Sequence, residues 1–186
     1  MAGLYDSLTR DLVLLHKGDS ITVKIDSTLV ASGWEGGQFV RWYADGTGEL
    51  NVRLANGVYC GFLPFGSDEL ADQFTALTDS DVTYLKAVMY FGGNVFYTRT
   101  YETETYQSRH GMVPYTPITY TASQSLYISE NGKITNEDES DAAVNPGGLF
   151  PDGSPILVPF VFFGVVAVPP VTNSRNYLGV QTNFGV

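Results

Sequence analysis

Two histidines, one cysteine and twenty acidic residues are the groups in this chain with the most chemistry to offer. His16 closes a leucine-bearing stretch, and His110 sits in Arg109-His110-Gly111, a loop sequence. A serine–histidine–acid triad needs a histidine beside a nucleophile held on a sharp turn. The chain has no Gly-x-Ser-x-Gly, so His110 reads as an ordinary loop residue rather than a general base. Cys60 stands between Tyr59 and Gly61 in a strand-like run, with no basic neighbour in sequence to lower its pKa. It reads as a small buried apolar residue. A single cysteine excludes an internal disulfide and a thiolate zinc site. Asp79-Ser80-Asp81 and Glu137-Asp138-Glu139-Ser140-Asp141 offer oxygen ligands of the kind calcium takes. Neither has the EF-hand spacing, and the second run reads as a solvated acidic loop. Gly33 to Gly37 lacks the lysine and the following helix of a phosphate loop. With twenty acids, pairs spaced like a glycosidase's carboxylates carry no specificity. Trp34, Trp42, Tyr43, Tyr97 and Tyr101 could stack on sugar rings, although alternating tyrosines on a strand are more often cross-strand pairs. No catalytic, cofactor or metal site is assigned.

The elements that must position these groups are mostly strands. Leu4, Leu8, Leu12 and Leu15 have helical spacing, which predicts a short amphipathic helix or arm over residues 1–17. Ile21, Val23 and Ile25 alternate with polar residues as in a half-buried strand. Gln38 to Tyr43 and Glu49 to Leu54 form a predicted hairpin across Ala44-Asp45-Gly46-Thr47-Gly48, and Val58 to Leu63 a further strand. Ser67 to Leu77 is the second helix candidate, with Ser67 as its cap and Asp68 and Glu69 in its first turn. From Val82 the period is two, and the pattern predicts a long hairpin turning at Gly92-Gly93. Leu126 to Ser129 and Lys133 to Thr135 bracket Asn131-Gly132, the signal of a type I′ hairpin. Residues 136–155 read as one long exposed loop, first acidic and then rich in proline and glycine. Ile156 to Val168 reads as a buried strand interrupted at Pro159, and residues 169–186 as a polar tail.

Composition points the same way. The chain has 186 residues with 12 tyrosines, 11 phenylalanines and 17 threonines, side chains that favour sheets. The resulting expectation is an all-β, β-dominated fold: an antiparallel sandwich or barrel-like domain over 18–168, one or two short helices, and extended terminal arms. A net charge of −10 repels nucleic-acid phosphates, so no nucleic-acid partner is expected. The first residues lack a basic region followed by an apolar core, so they do not read as a signal peptide. The longest apolar run, Ile156 to Val168, spans 13 residues and is broken by Pro159 and Gly164. It is too short to span a membrane, and no membrane partner is expected.

One segment carries a resemblance. Leu126-Tyr127-Ile128-Ser129-Glu130-Asn131-Gly132-Lys133-Ile134-Thr135, followed by an acidic stretch and later by Tyr177-Leu178-Gly179-Val180, resembles structural proteins of tailed-bacteriophage particles. The similarity is to the small β-rich decoration, or cement, proteins of the capsid, and covers about the last third of the chain. It implies a non-enzymatic virion protein on the capsid exterior, present in multiple copies or as a homo-oligomer. Its partners would be the major capsid protein or other virion proteins; a tail, connector or fibre-base component is the alternative, and a carbohydrate- or receptor-binding module a third reading. Acidity suits that place, because it keeps a protein soluble and away from packaged nucleic acid. Both chain ends need a surface to hold them, since short apolar stripes do not fold alone. The partner-binding candidates are Leu4, Leu8, Leu12, Tyr177 and Phe184 near the ends, with Tyr97 and Tyr101 of the long predicted hairpin, which is expected to pack on a neighbouring copy.

Overall fold

Alternating apolar and polar side chains make a strand only where another backbone is available to pair with it. In this protein most of those partners are distant in sequence. The computed structural model describes residues 12–16, 19–44, 50–67, 86–91, 95–150, 153–157, 159–160, 163–170 and 176–182. Its strands, in chain order, are β1 (Leu12–His16), β2 (Asp19–Ile25), β3 (Phe39–Ala44), β4 (Leu50–Leu54), β5 (Gly61–Phe62) and β6 (Lys86–Phe91), then β7 (Val95–Thr98), β8 (Ser125–Ile128), β9 (Ile134–Thr135), β10 (Gly164–Val168) and β11 (Leu178–Thr182). Two short helices, α1 (Ser27–Ser32) and α2 (Tyr106–Arg109), complete the described elements. The fold is β-dominated, as expected.

Five strands close a barrel in the order β2-β4-β3-β5-β6, with β6 returning to β2. Only the β2–β4 pair is parallel. Val23, Ile25, Val40, Val52 and Leu63 form its core, joined by Leu29 of α1 and by Trp34. Asp26 starts α1, its carboxylate accepting from the Thr28 amide at 3.0 Å. Gly33 ends it at φ +74° with its own amide donating to Leu29 O, a conformation that favours glycine. This helix was not among those expected from the sequence, although Asp26 and Gly33 are its start and stop signals.

The other six strands form a sheet ordered β1-β7-β11-β10-β8-β9. Phe96, Leu126, Ile128, Val166, Leu178 and Val180 of this sheet pack on Phe39 and Phe62 of the barrel. The rings of Phe39, Phe62, Phe96 and Phe163 lie 4.8–5.5 Å apart in a chain of tilted pairs. Each fully buried phenylalanine contributes about 1.5–3 kcal/mol, so this seam binds the two sheets together.

Several expectations are corrected here. Leu12–His16 is a strand, not part of a helix, because β7 offers it a backbone edge from Thr98 to Val95. Leu4 and Leu8 lie outside the described residues, as do 68–85, where most of the second helix candidate falls. The predicted hairpin across Gly92-Gly93 is not formed. β6 pairs with β2 and β5 in the barrel, whereas β7 is flanked by β1 and β11 in the other sheet. The supposed polar tail contains β11, which lies between β7 and β10 in the sheet's interior. Gly179 makes this possible: a Cβ there would stand 2.8 Å from Val168 Cβ and 2.9 Å from Tyr97 Cε1. Of the strand expected over 156–168, the described residues form only Gly164–Val168, and Leu157 is 83% exposed. The strand predicted at Val58 to Leu63 shortens to Gly61–Phe62.

Two hairpins stand as predicted. β3 and β4 pair from Val40↔Leu54 to Ala44↔Leu50. β8 and β9 pair through Tyr127↔Thr135 and Ile128↔Ile134. The second turn differs in kind from the type I′ expectation. Gly132 N donates to Ser129 O, Ser129 N donates to Lys133 O, and Gly132 alone in the turn has positive φ, +69°. This is a three-residue loop with glycine at its left-handed position. A side chain at Gly132 would also strike Phe39 O at 2.7 Å.

Candidate functional site

The most elaborate polar arrangement among the described residues grows from the segment that follows β7. Burial alternates through Phe96, Thr98, Thr100 and Glu102, although the strand ends at Thr98. Alternation therefore carries Glu102 into the interior. The chain then turns into α2, capped by Thr105, whose hydroxyl accepts from Ser108 N at 3.4 Å. Arg109, the last residue of α2, reaches back to three carboxylates. Its Nη1 lies 3.3 Å from Glu102 Oε1 and 3.1 Å from Glu130 Oε1, and its Nη2 donates to Glu139 Oε1. Glu130 Oε1 also lies 2.6 Å from His110 Nε2, and the His110 ring packs at a tilt on Tyr106, with 4.3 Å between ring centroids.

The carboxylates are held by further donors. Ser129 Oγ donates to Glu102 Oε1 at 2.7 Å and Asn131 Nδ2 does so at 3.2 Å. The Glu130 amide donates to Glu139 Oε2 at 2.9 Å. Glu137 Oε2 accepts from the Tyr106 amide at 2.7 Å. The network thus ties α2, the β8–β9 turn and the acidic run into one unit. From that turn Gly132 O and Asn131 O accept from the barrel's Phe39 N and Gln38 Nε2.

Three carboxylates face one guanidinium, a surplus of two negative charges when all are ionised and His110 is neutral. Burial works to lower the Arg109 pKa, but Glu139, Glu102 and Glu130 outweigh it and raise it. Glu139 is 1% exposed, and burial pushes its carboxyl up to about 7 against the pull of Arg109. The acidic run is therefore not the solvated loop the sequence suggested. Asp138 accepts from Ser140 N and Asp141 from Ala143 N, each within the loop itself. Asp79 and Asp81 lie outside the described residues. Among the described residues no group of three histidine, cysteine, aspartate or glutamate side chains is arranged to hold a metal ion.

What the network supports is an exposed loop, residues 110–117. Its base is closed by Thr105 N→Thr116 O at 3.0 Å and Ile118 N→Thr103 O at 2.9 Å. Met112 N donates to Gln107 O at 2.8 Å, and Thr116 N to Ser108 Oγ at 3.1 Å. Pro114 and Pro117 fix two further φ angles. The tip bears Met112, Val113 and Tyr115, exposed by 53%, 36% and 68%. Comparisons with protein-family models, with curated proteins and with solved structures found no match.

The partner-binding candidates do not converge on this loop. Leu12 is buried in the core between the sheets, and Tyr177 is buried with Arg99 4.6 Å above its ring, so neither offers a free surface. Tyr101 packs edge-on against Tyr120 and donates to Asn176 O. Tyr97 is half-buried beside Gly179. Phe184 lies outside the described residues. The aromatics proposed to stack on sugars are likewise dispersed. Trp34 is buried with its indole N–H donating to Phe65 O at 2.8 Å, and Tyr43 lies under Arg53 at 3.3 Å. Cys60 donates to Val40 O, and burial pushes its thiol up to about 12, so it stays protonated. Sequence reasoning missed Arg109 because its partners come from three separate loops with no fixed spacing. The loop tip left a faint signal: Met112 and Val113 directly before Pro114, and Tyr115 between Pro114 and Pro117, in an otherwise polar stretch.

Proposed function

We propose that the chain is a non-enzymatic structural protein of a virus particle that binds the outer capsid surface and cements its subunits. The observation that carries this reading is the apolar tip of Met112, Val113 and Tyr115 on a loop anchored by a buried ionic network. Methionine and aromatic side chains are enriched at protein interfaces. A tip already fixed in place loses little conformational entropy on docking, which favours attachment through few residues. The acidic charge keeps the protein off packaged nucleic acid and so favours the exterior of a shell. The resemblance of the β8–β9 hairpin to capsid decoration proteins points the same way.

The test is to purify particles from cells producing the protein, measure its ratio to the capsid protein, and image the particles by cryo-electron microscopy. Fixed stoichiometry with density on the outer shell is expected, and Met112→Asp with Tyr115→Asp should lower occupancy without unfolding the protein. Density confined to a tail ring would replace the capsid reading with the tail one. Absence from particles would refute both.

A further inference from the structure

A second place in the fold holds a charge that no described residue balances. Arg41 of β3 and Arg53 of β4 are direct cross-strand neighbours. Like charges placed so destabilise a sheet unless they are neutralised. Arg53 is neutralised: its Nε lies 3.0 Å from Asp26 Oδ1, and its guanidinium covers Tyr43. Arg41 has no carboxylate partner among the described residues, and its Nε is buried without a hydrogen bond. The side chain opens on a cleft of about 500 Å³ lined also by Trp42, Asn56, Tyr59, Phe150 and Ser154. That volume is within the range of small-molecule sites. Trp42, one of the lining residues, is 41% exposed, in contrast to the buried Trp34.

We propose that this cleft binds an acidic sugar of the uronate type, with Arg41 taking the carboxylate, Trp42 the apolar face of the ring, and Asn56 a hydroxyl. The inference does not depend on the capsid reading. One guanidinium matches one carboxylate, whereas a polyanion would be repelled by a protein of charge −10. A sugar ring has the two-sided character of the cleft, with C–H groups for an indole and hydroxyls for an amide. A purely aromatic acid would leave the Asn56 amide unused.

The experiment titrates the full-length protein with sodium glucuronate, glucose, acetate and benzoate, following tryptophan fluorescence and calorimetry. Glucuronate should give a saturable change in the millimolar range or below, glucose and acetate at least about tenfold weaker binding, because each lacks one of the two anchors. Arg41→Gln should weaken glucuronate about tenfold, and Trp42→Ala should weaken it and abolish the fluorescence change. Circular dichroism confirms that each variant is folded, and the exposed Trp42 position keeps the test sound if Arg41→Gln is not. Equal binding of glucose would overturn the role of Arg41. Preference for benzoate, or no binding of glucuronate, would overturn the ligand class.

Discussion

Glu139 ties the stability of this protein to pH in an unusual direction. Its carboxyl stands at about 7 in the folded protein against an ordinary 4.5, because burial penalises the charge more than Arg109 and the Glu130 amide reward it. A raised carboxyl favours the protonated folded state. Its contribution is complete below 4.5 and is lost as pH rises through about 7. At about 1.4 kcal/mol per pH unit the loss is about 3 kcal/mol, a large part of the 5–15 kcal/mol typical of a domain. Asp26 does not blur this window. Burial works to raise its pKa, but the hydrogen bonds from Thr28 and Arg53 prevail and hold it below 3.8, so it matters only in stronger acid. The assay is urea unfolding from about pH 5 to about pH 8, on the native chain and on Glu139→Gln. Glutamine is uncharged and has the shape of the protonated acid. The native chain should lose about 3 kcal/mol across the window while Glu139→Gln stays nearly flat, so that the variant is the more stable at the alkaline end. Equal slopes for the two proteins, or native stability that rises with pH, would refute the argument.

Three other outcomes follow from the same structure. Arg109→Ala leaves Glu102, Glu130 and Glu139 without their cation and should cost about 3–5 kcal/mol, read as a lower urea midpoint. Removing residues 176–186 takes out a strand hydrogen-bonded on both sides, so the near-ultraviolet dichroism and the cooperative transition should both disappear. Gly179→Ala sets a methyl group against Val168 and Tyr97 and should cost about 1–3 kcal/mol, seen as a lower melting temperature with the sheet retained.

The fold was legible in the sequence as faces rather than as pairings. The alternation from Val95 to Thr103 put Phe96, Thr98, Thr100 and Glu102 on one side of the chain, and that is the side the structure buries. It could not say which strand lies alongside, and Gly92-Gly93 permits a reversal without requiring one. Short local hairpins were legible because the turn itself brings the partner, as at β3–β4 and β8–β9. Burial in the polar final stretch was not: Leu178 and Val180 flank a glycine and look isolated until β7 and β10 enclose them. The candidate site was hidden for the same reason. Glu139 looked like one more charge in a solvated run, and its buried carboxyl meets its partners, Arg109 and the Glu130 amide, only in the folded chain.

The position of β11 also sets the order in which the molecule can be built. All five barrel strands lie between Asp19 and Phe91, so the barrel can close from nearby chain. The other sheet recruits β1 from before the barrel and β7 to β11 from after it, and its interior stays open until β11 arrives. Until then β7 and β10 each present a row of unpaired amides and carbonyls, with Phe96 and Val166 uncovered beside them. A vacant slot of that shape accepts an extended segment from any copy of the chain as well as from its own. At high concentration during refolding, exchange of β11 between molecules is therefore the misassembly expected of this topology, and a strand-swapped dimer is the species that would report it.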